Sequence, residues 1–442
     1  MFKPKPMPTS LVPKGSFSRL LYLANRLLTL PPLRKAAKRR AEVSSRGAEP
    51  ILYVAASCLP YHSSGYTART HALLRALRDA SIEVRATTRP GYPWDRGDRL
   101  AEPEGLRADF SGVEYAHIKS PGKRRSVVSY ALQGAEKIAA QALESGAALI
   151  HAASNHLNAL PALVAARRLG LPFQYEMRGL WELSRASRDP SFRDSWPYAM
   201  GLELEKFVAS EADRIFAIST SLKQYLVDNW ELPPEKIEIL PNCVNRDFCA
   251  APEVAVEPDS LCYAGSLVKY EGLDSLIEAI DILRRKDRKI LLNIVGDGEH
   301  RGALEELTAR LGLEDRIFFR GRVDQAKARD YLARCSLVCI PRKPYEVCRL
   351  VTPLKLVEAM ALGKAVVAPD LPVFREELGE LGYYFQSGNS ADLAGALEAV
   401  LSDREGLKER GAKLGARCLE SRLWSRHIEK LRPRLSECSA RL

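Results

Sequence analysis

The chain has 442 residues, 46% hydrophobic and 27% charged, which suits a globular protein of two domains and excludes a chain too polar to build a core. Its formal charge is +11, yet residues 1–49 hold eleven Lys or Arg against Glu42 and Glu49, so the other 393 residues carry only +2. A body so nearly neutral excludes a general nucleic-acid surface. Nine scattered cysteines without CxxC spacing point to reduced thiols in a cytoplasmic protein, with no metal set.

In the basic extension, residues 1–48, Phe17, Leu20, Leu21, Ala24, Leu27, Leu28 and Pro31 recur at helical spacing, with Arg19 and Arg26 off the stripe. Arg34, Lys35, Lys38, Arg39 and Arg40 follow. An apolar face flanked by cations suits a helix lying in an anionic membrane interface, and the stretch is too short to span a bilayer. A helix packed on the body, or an unstructured leader, would have the same composition.

From residue 50 strand and helix alternate. Ile51–Ala56 reads as a buried strand, then a small-residue loop holding Ser64, Gly65 and Tyr66 leads to a helix from about Thr67 that carries Arg69. Such a loop admits close backbone approach by an anionic or sugar group, but it lacks the GxGxxG of a dinucleotide site. Strand candidates follow at 149–151, 172–176 and 214–218. Just past the second of these stand Glu176, Arg178, Trp181 and Glu182, a density of polar function that core filling does not explain. A carboxylate there serves as a base or a sugar ligand, and Arg178 reaches for phosphate.

Residues 250–259, with two prolines, read as a linker, and a second alternation begins at Leu261. Three of its strands run into glycines, at Gly265-Ser266, Gly296-Asp297-Gly298 and Gly321-Arg322-Val323. The most informative stretch is Thr352-Pro353-Leu354-Lys355-Leu356-Val357-Glu358, closed by Gly363. Thr352 is a good N-cap and Pro353 suits the first helical position, so a helix starts here with unpaired, partly positive amides. Lys355 in its first turn would meet diphosphate, and Glu358 one turn on would meet ribose hydroxyls. Alternating strands and helices on both sides of the linker imply two doubly wound parallel sheets, with ligands at the strands' carboxyl ends.

The order of these motifs, from Ser64-Gly65 through Asp213-Arg214, Leu240-Pro241-Asn242, Gly265-Ser266, Gly296-Asp297-Gly298 and Arg322-Val323 to Glu358-Ala359-Met360-Ala361, resembles the retaining glycosyltransferases of the GT-B fold, family 4. The segment from Glu176 to Trp181 is most similar to enzymes of bacterial exopolysaccharide and cell-surface glycan assembly. The resemblance implies an α/β GT-B fold of two Rossmann-like domains, an acceptor domain at 49–250 and a donor domain at 251–405. Residues 406–442 would be helices returning toward the N-terminal domain.

The resemblance also implies a UDP- or GDP-sugar donor, a glycan or lipid-linked glycan acceptor, no nucleic acid, no metal or other cofactor, and a cytoplasmic location at the inner membrane face. By position, Gly265, Ser266 and Lys269 would line the diphosphate, with Thr352, Leu354 and Lys355 at the helix end. Glu358 would hold the ribose, and Arg322 and Val323 the base. Ser64, Gly65, Tyr66 and Arg69 would face the acceptor or phosphate, and Arg178, Glu176 and Lys355 would be catalytic.

Several positions depart from the family pattern. Ser266 stands where many members have Arg, and Glu271 where they have Lys. Cys348, Arg349 and Leu350 occupy the neighbourhood of the missing first glutamate, and Arg178 replaces a frequent His. Lys355, Arg349, Lys269 and Arg342 are then the candidate cations. A sugar-nucleotide epimerase of the same layout, or an inactive scaffold, is the alternative; a nicotinamide dehydrogenase lacks its glycine fingerprint.

Overall fold

The computed structural model describes residues 13, 15–38, 50–250, 252 and 254–432. Lys3, Lys5, Lys14, Arg39, Arg40 and Arg46 of the extension, and 433–442 of the C-terminal segment, lie outside the described residues. The chain divides into two compact units, one ending at Leu240 and resuming at His427, the other Pro241–Arg426.

The first unit is built on β1 Ile51–Ala55, β2 Val84–Thr88, β3 Arg107–Phe110, β4 Val113–Ala116, β5 Leu149–Ala153, β6 Phe173–Met177, β7 Arg214–Ala217 and β8 Ile237–Ile239. Their order is β3-β4-β2-β1-β5-β6-β7-β8. The pairings are parallel except the β3–β4 hairpin, which turns through Ser111-Gly112, both at positive φ. β1, β5 and β6 are buried along their whole length, as parallel strands covered on both faces must be.

The second unit holds β9 Glu257–Ala264, β10 Leu291–Val295, β11 Ile317–Gly321, β12 Cys335–Cys339, β13 Val366–Pro369 and β14 Tyr383–Phe385, all parallel, in the order β11-β10-β9-β12-β13-β14. Leu261, Ile277, Ile280, Leu292, Ile294 and Val367 belong to its core. The expected linker is partly strand, because β9 already begins at Glu257.

Two boundaries differ from the sequence expectation. Val244 N–H donates to Arg422 O at 2.9 Å and Trp424 N–H to Val244 O at 3.1 Å, which ties residues just after Pro241 to the end of the same unit. The helix Arg404–Ser421 packs on the helix Leu354–Ala361, with Gly411 so close to Gly363 that an added Cβ would lie 2.2 Å from its carbonyl oxygen. The second unit therefore runs past residue 405 to Arg426. Beyond it, Leu431 O accepts from Gln174 Nε2 at 3.1 Å and Lys430 O from Arg214 Nη1 at 2.7 Å, inside the first unit.

The extension contains a helix, Ser16–Ala36, held on the first unit. Tyr22, Leu30 and Leu33 are buried, Arg26 Nε pairs with Glu203 Oε1 at 2.6 Å, and Tyr22 Oη donates to the same carboxylate. The stripe anticipated from periodicity lies on the other side, with Phe17, Leu20, Leu27 and Leu28 at least 64% exposed.

At the carboxyl edge of the second sheet, the loops after β9 and β10 touch backbone to backbone. Gly265 N–H donates to Val295 O at 2.9 Å, Gly296 N–H to Gly321 O at 2.8 Å and Leu267 N–H to Asp297 O at 3.0 Å. Gly296 has φ +135°, and a Cβ there would sit 1.9 Å from Gly265 O. Gly296→Ala should therefore cost about 1–3 kcal/mol or more in urea unfolding. Gly302→Ala, in the helix Arg301–Arg310 with open space around it, should raise stability by about 0.5–1 kcal/mol.

Candidate functional site

The strand order of the second unit reverses between β9 and β12, so a crevice opens where their following loops part. β9 delivers Tyr263 and the Gly265-Ser266 turn to that point, and β12 leads to Arg342 and then to the helix bearing Lys355. Lys355 Nζ donates to Tyr263 Oη at 2.6 Å and to Glu271 Oε2 at 2.8 Å, 4.0 Å from the Tyr263 ring centre. Arg342 grips the same carboxylate from the other side, Nη2 to Glu271 Oε1 at 2.9 Å, and donates from Nη1 to Val351 O at 2.8 Å. Gly265 has φ +154°, and a Cβ there would lie 2.8 Å from Lys355 Nζ, so the ammonium lies directly against this turn.

Two cations around one carboxylate leave a net positive charge. Burial would push Glu271 up, but Arg342 and Lys355 outweigh it and hold it at about 2. Burial pushes Lys355 down to about 8 against the upward pull of Glu271. Glu358 is raised to about 7 by burial, with Lys355 countering only in part. Among the described residues, one of the three Lys355 N–H bonds and two of the five of Arg342 find no acceptor, and no donor bonds the Glu358 carboxylate. Donors left over beside a glycine turn suit an anion, and an open carboxylate suits hydroxyls.

The other expected donor residues are spread around this point. Ser266 and Lys269 are exposed on the loop after β9, and Ser266 O accepts from Tyr263 Oη at 2.9 Å. Arg322 is exposed and lies 3.7 Å from Asp297, with Val323 beside it. Thr352 is not the N-cap. The helix starts at Leu354 because Pro353 stays extended at ψ 141°, and the Thr352 hydroxyl is buried without a hydrogen-bond partner among the described residues. Arg349 is exposed.

In the first unit, strand order reverses between β1 and β5, and Glu176 sits near that point wholly buried. Its carboxylate accepts from Arg69 Nε at 2.8 Å, Arg178 Nε at 3.0 Å and Nη2 at 2.9 Å, and Tyr53 Oη at 2.8 Å, with His151 Nε2 at 3.4 Å. Burial would raise its pKa, yet Arg178 and Arg69 hold it well below the ordinary carboxylate range. Arg178 spends all five N–H bonds internally, on Glu176, on Tyr53 Oη, on Thr70 Oγ1 at 2.7 Å and on Tyr66 O at 3.0 Å. Its guanidinium lies 4.3 Å from the Tyr66 ring centre.

Glu176 and Arg178, both expected to be catalytic, are thus partners in one buried network. Two guanidinium partners hold the Glu176 carboxylate in its charged form, and Arg178 has no N–H bond left over in this arrangement. Arg69 is likewise committed, to Glu176 and to Leu240 O at 2.8 Å. Ser64 caps the helix Gly65–Asp79 in a capping box with Thr67, leaving Ser64 and Gly65 exposed at its start.

Glu271 and Tyr263 are the site residues that sequence reasoning did not place. The signal for Glu271 was present, since an acid where the family keeps a lysine demands a compensating cation. Tyr263 looks like any aromatic in a buried strand.

Residues 64–243 match the family model described as a glycosyl transferase 4-like domain, and residues 258–403 the model for glycosyl transferases group 1, together well over half of the chain. A phosphatidyl-myo-inositol mannosyltransferase of Mycobacterium leprae is 34% identical over 45% of this chain and 54% of its own length. A D-inositol 3-phosphate glycosyltransferase of Streptomyces scabiei is 27% identical over 57% of this chain and 59% of its own. The chain spans about half the length of the relatives it matches in sequence.

Among solved structures, sucrose-phosphate synthase from Thermosynechococcus elongatus superposes with a TM-score of 0.69 at 18% identity, covering 87% of this chain and 97% of that one. Anabaena HepE in complex with UDP-glucose gives 0.65 at 17%, covering 86% and 98%. Both show the same fold of two parallel-sheet α/β domains. The chain belongs to the family 4-like glycosyltransferases of the GT-B fold.

Proposed function

We propose that this protein transfers a hexosyl group from a UDP- or GDP-sugar to a glycan or lipid-linked glycan, with retention of configuration, in the assembly of a cell-surface polysaccharide. The observation that carries this reading is the Lys355 ammonium, seated against Gly265 at the switch point of the second sheet with an N–H bond to spare. Breaking the bond between the sugar's anomeric carbon and the β-phosphate oxygen leaves a nucleoside diphosphate, so the main demand is for positive charge fixed in advance. Lys355 and Arg342 supply it, which makes a metal ion unnecessary for the transfer. With Glu176 and Arg178 engaged, the departing phosphate oxygen takes the acceptor hydroxyl's proton as that hydroxyl attacks from the same face. Glu358 holds the ribose hydroxyls. The family membership and the activities for which the relatives are named support the same reading.

The helix Ser16–Ala36 places the enzyme on a membrane in this proposal. No described helix is long and apolar enough to cross one. Its exposed Phe17, Leu20, Leu27 and Leu28 would enter the interface of the inner face, with Arg19, Arg34, Lys35 and Lys38 at the level of anionic headgroups.

Incubation with a panel of UDP- and GDP-sugars and glycan acceptors should release nucleoside diphosphate only when both substrates are present; release without acceptor would favour an epimerase or hydrolase. Lys355→Ala should lower turnover by roughly one to three decades with the melting curve retained. Normal turnover in that variant would remove Lys355 from the mechanism.

The alkaline limb of donor kcat/KM tests the electrostatics. The ammonium carries its charge below its pKa of about 8 and loses it above, so activity should fall as pH rises through that value. Glu271→Gln removes the anion that holds this pKa up and leaves Arg342 pressing it down, so the limb should move to lower pH. An unmoved limb would separate Lys355 from the donor step.

Flotation with phosphatidylglycerol vesicles should carry the wild type upward and leave the Leu20→Glu, Leu27→Glu double variant behind. Equal flotation of both would reject the exposed face as the anchor. Deleting the whole helix is the poorer test, because it also strips Tyr22, Leu30 and Leu33 from the body.

A further inference from the structure

On the face of β6 opposite Glu176, Tyr175 points into a second buried polar cluster. His156 opens the helix His156–Leu169, Glu182 lies in the first turn of the helix Trp181–Arg188, and Glu205 sits within the helix Trp196–Glu211. All three side chains are buried, and one ligating atom from each lies within 4.8 Å of the other two. We propose that His156, Glu182 and Glu205 form a divalent-cation site of the zinc class, separate from the sugar-transfer chemistry.

Glu182 points most directly to a missing ligand. Its side chain is wholly buried, yet neither carboxylate oxygen has a hydrogen-bond partner among the described residues. Native proteins seldom leave such a group unanswered, because an unpaired carboxyl away from water is costly. The chain also makes room for it: a Cβ on Gly201 would lie 2.4 Å from Glu182 Oε1, so the helix has no side chain where the carboxylate rests.

The separations fit a metal centre. His156 Nδ1 is 3.2 Å from Glu205 Oε1 and 3.6 Å from Glu182 Oε1. Ligands about 2.1 Å from a tetrahedral zinc stand roughly 3.4 Å apart, so the gaps already approximate that spacing. Nitrogen with two carboxylate oxygens is a zinc-type donor set, and two carboxylates beside a neutral imidazole match the charge of one divalent ion.

The outer contacts orient the ligands. Tyr175 Oη donates to Glu205 Oε2, and the His156 backbone N–H donates to Glu205 Oε1 at 2.7 Å. A bound ion would tie three helices together and pin residues 178–182, the segment that carries Arg178.

The test uses the full chain and needs no transferase activity, so its outcome is independent of the proposed reaction. Protein purified without chelator should contain close to one equivalent of metal by mass spectrometry. EDTA-treated protein should melt lower, and ZnCl2 at a hundredfold excess over Kd should restore roughly 5–10 °C. Glu182→Gln, which keeps the shape of the side chain, should lose the stoichiometric metal and the zinc-dependent shift. No saturable binding of Zn2+ or Mn2+ by the wild type, or equal binding by the variant, would overturn the proposal and leave a proton-sharing cluster.

Discussion

The second unit is organised by one electrostatic arrangement, a lysine ammonium held against a glycine turn by a carboxylate that also holds an arginine. Each partner makes the others tenable. Lys355 alone in that position would be driven toward neutrality by burial, and Glu271 alone would take up a proton. Arg342 and Lys355 without Glu271 would repel each other at close range. Together they form a unit of net positive charge with N–H bonds remaining, and the strand order aims it at the crevice between β9 and β12. Gly265 completes it, because any side chain there would displace the ammonium.

The first unit uses the same type of position, near a strand reversal, with a different balance. Glu176 also sits between two cations, but Arg69 and Arg178 spend their donors on it, on backbone oxygens and on Tyr53 and Thr70. Saturation is the difference between the clusters. A network with every donor answered rigidifies a strand end, whereas one with donors left over can receive a ligand. Charge and burial are alike in both, so neither property alone tells the two clusters apart.

This contrast explains how far the sequence could be read. Continuous apolar runs and strand-ending glycines gave seven of the strands, from Ile51 onward, and the Gly265, Gly296 and Gly321 loops. The β3–β4 hairpin escaped because its strands are only four residues long and partly buried, although Ser111-Gly112 is a recognisable tight turn. At Thr352-Pro353 the composition anticipated a helix start, but an extended Pro353 moved it onward. Glu176 and Arg178 were noticed for their polarity, and their saturation depends on Arg69 and Tyr53, more than a hundred residues earlier in the chain. For the N-terminal helix, periodicity detected an apolar stripe but could not say which side would meet the body. That was decided by Glu203, which draws in Arg26 and Tyr22 and turns Phe17, Leu20 and Leu27 outward.

The departures from the family pattern become intelligible as one exchange of charge. An acid at 271 in place of the family's lysine would, by itself, put a negative group where the proposed reaction calls for positive charge. Lys355 supplies a cation from a different element, and its 2.8 Å contact with Glu271 makes that acid the holder of the ammonium. The two residues are therefore coupled in charge as in space. Removing the acid strands two cations, and removing the lysine leaves the anion to Arg342 alone. Two cations, Arg342 and Lys355, stand around Glu271 at the strand reversal, so the acid does not leave this end of the crevice negative.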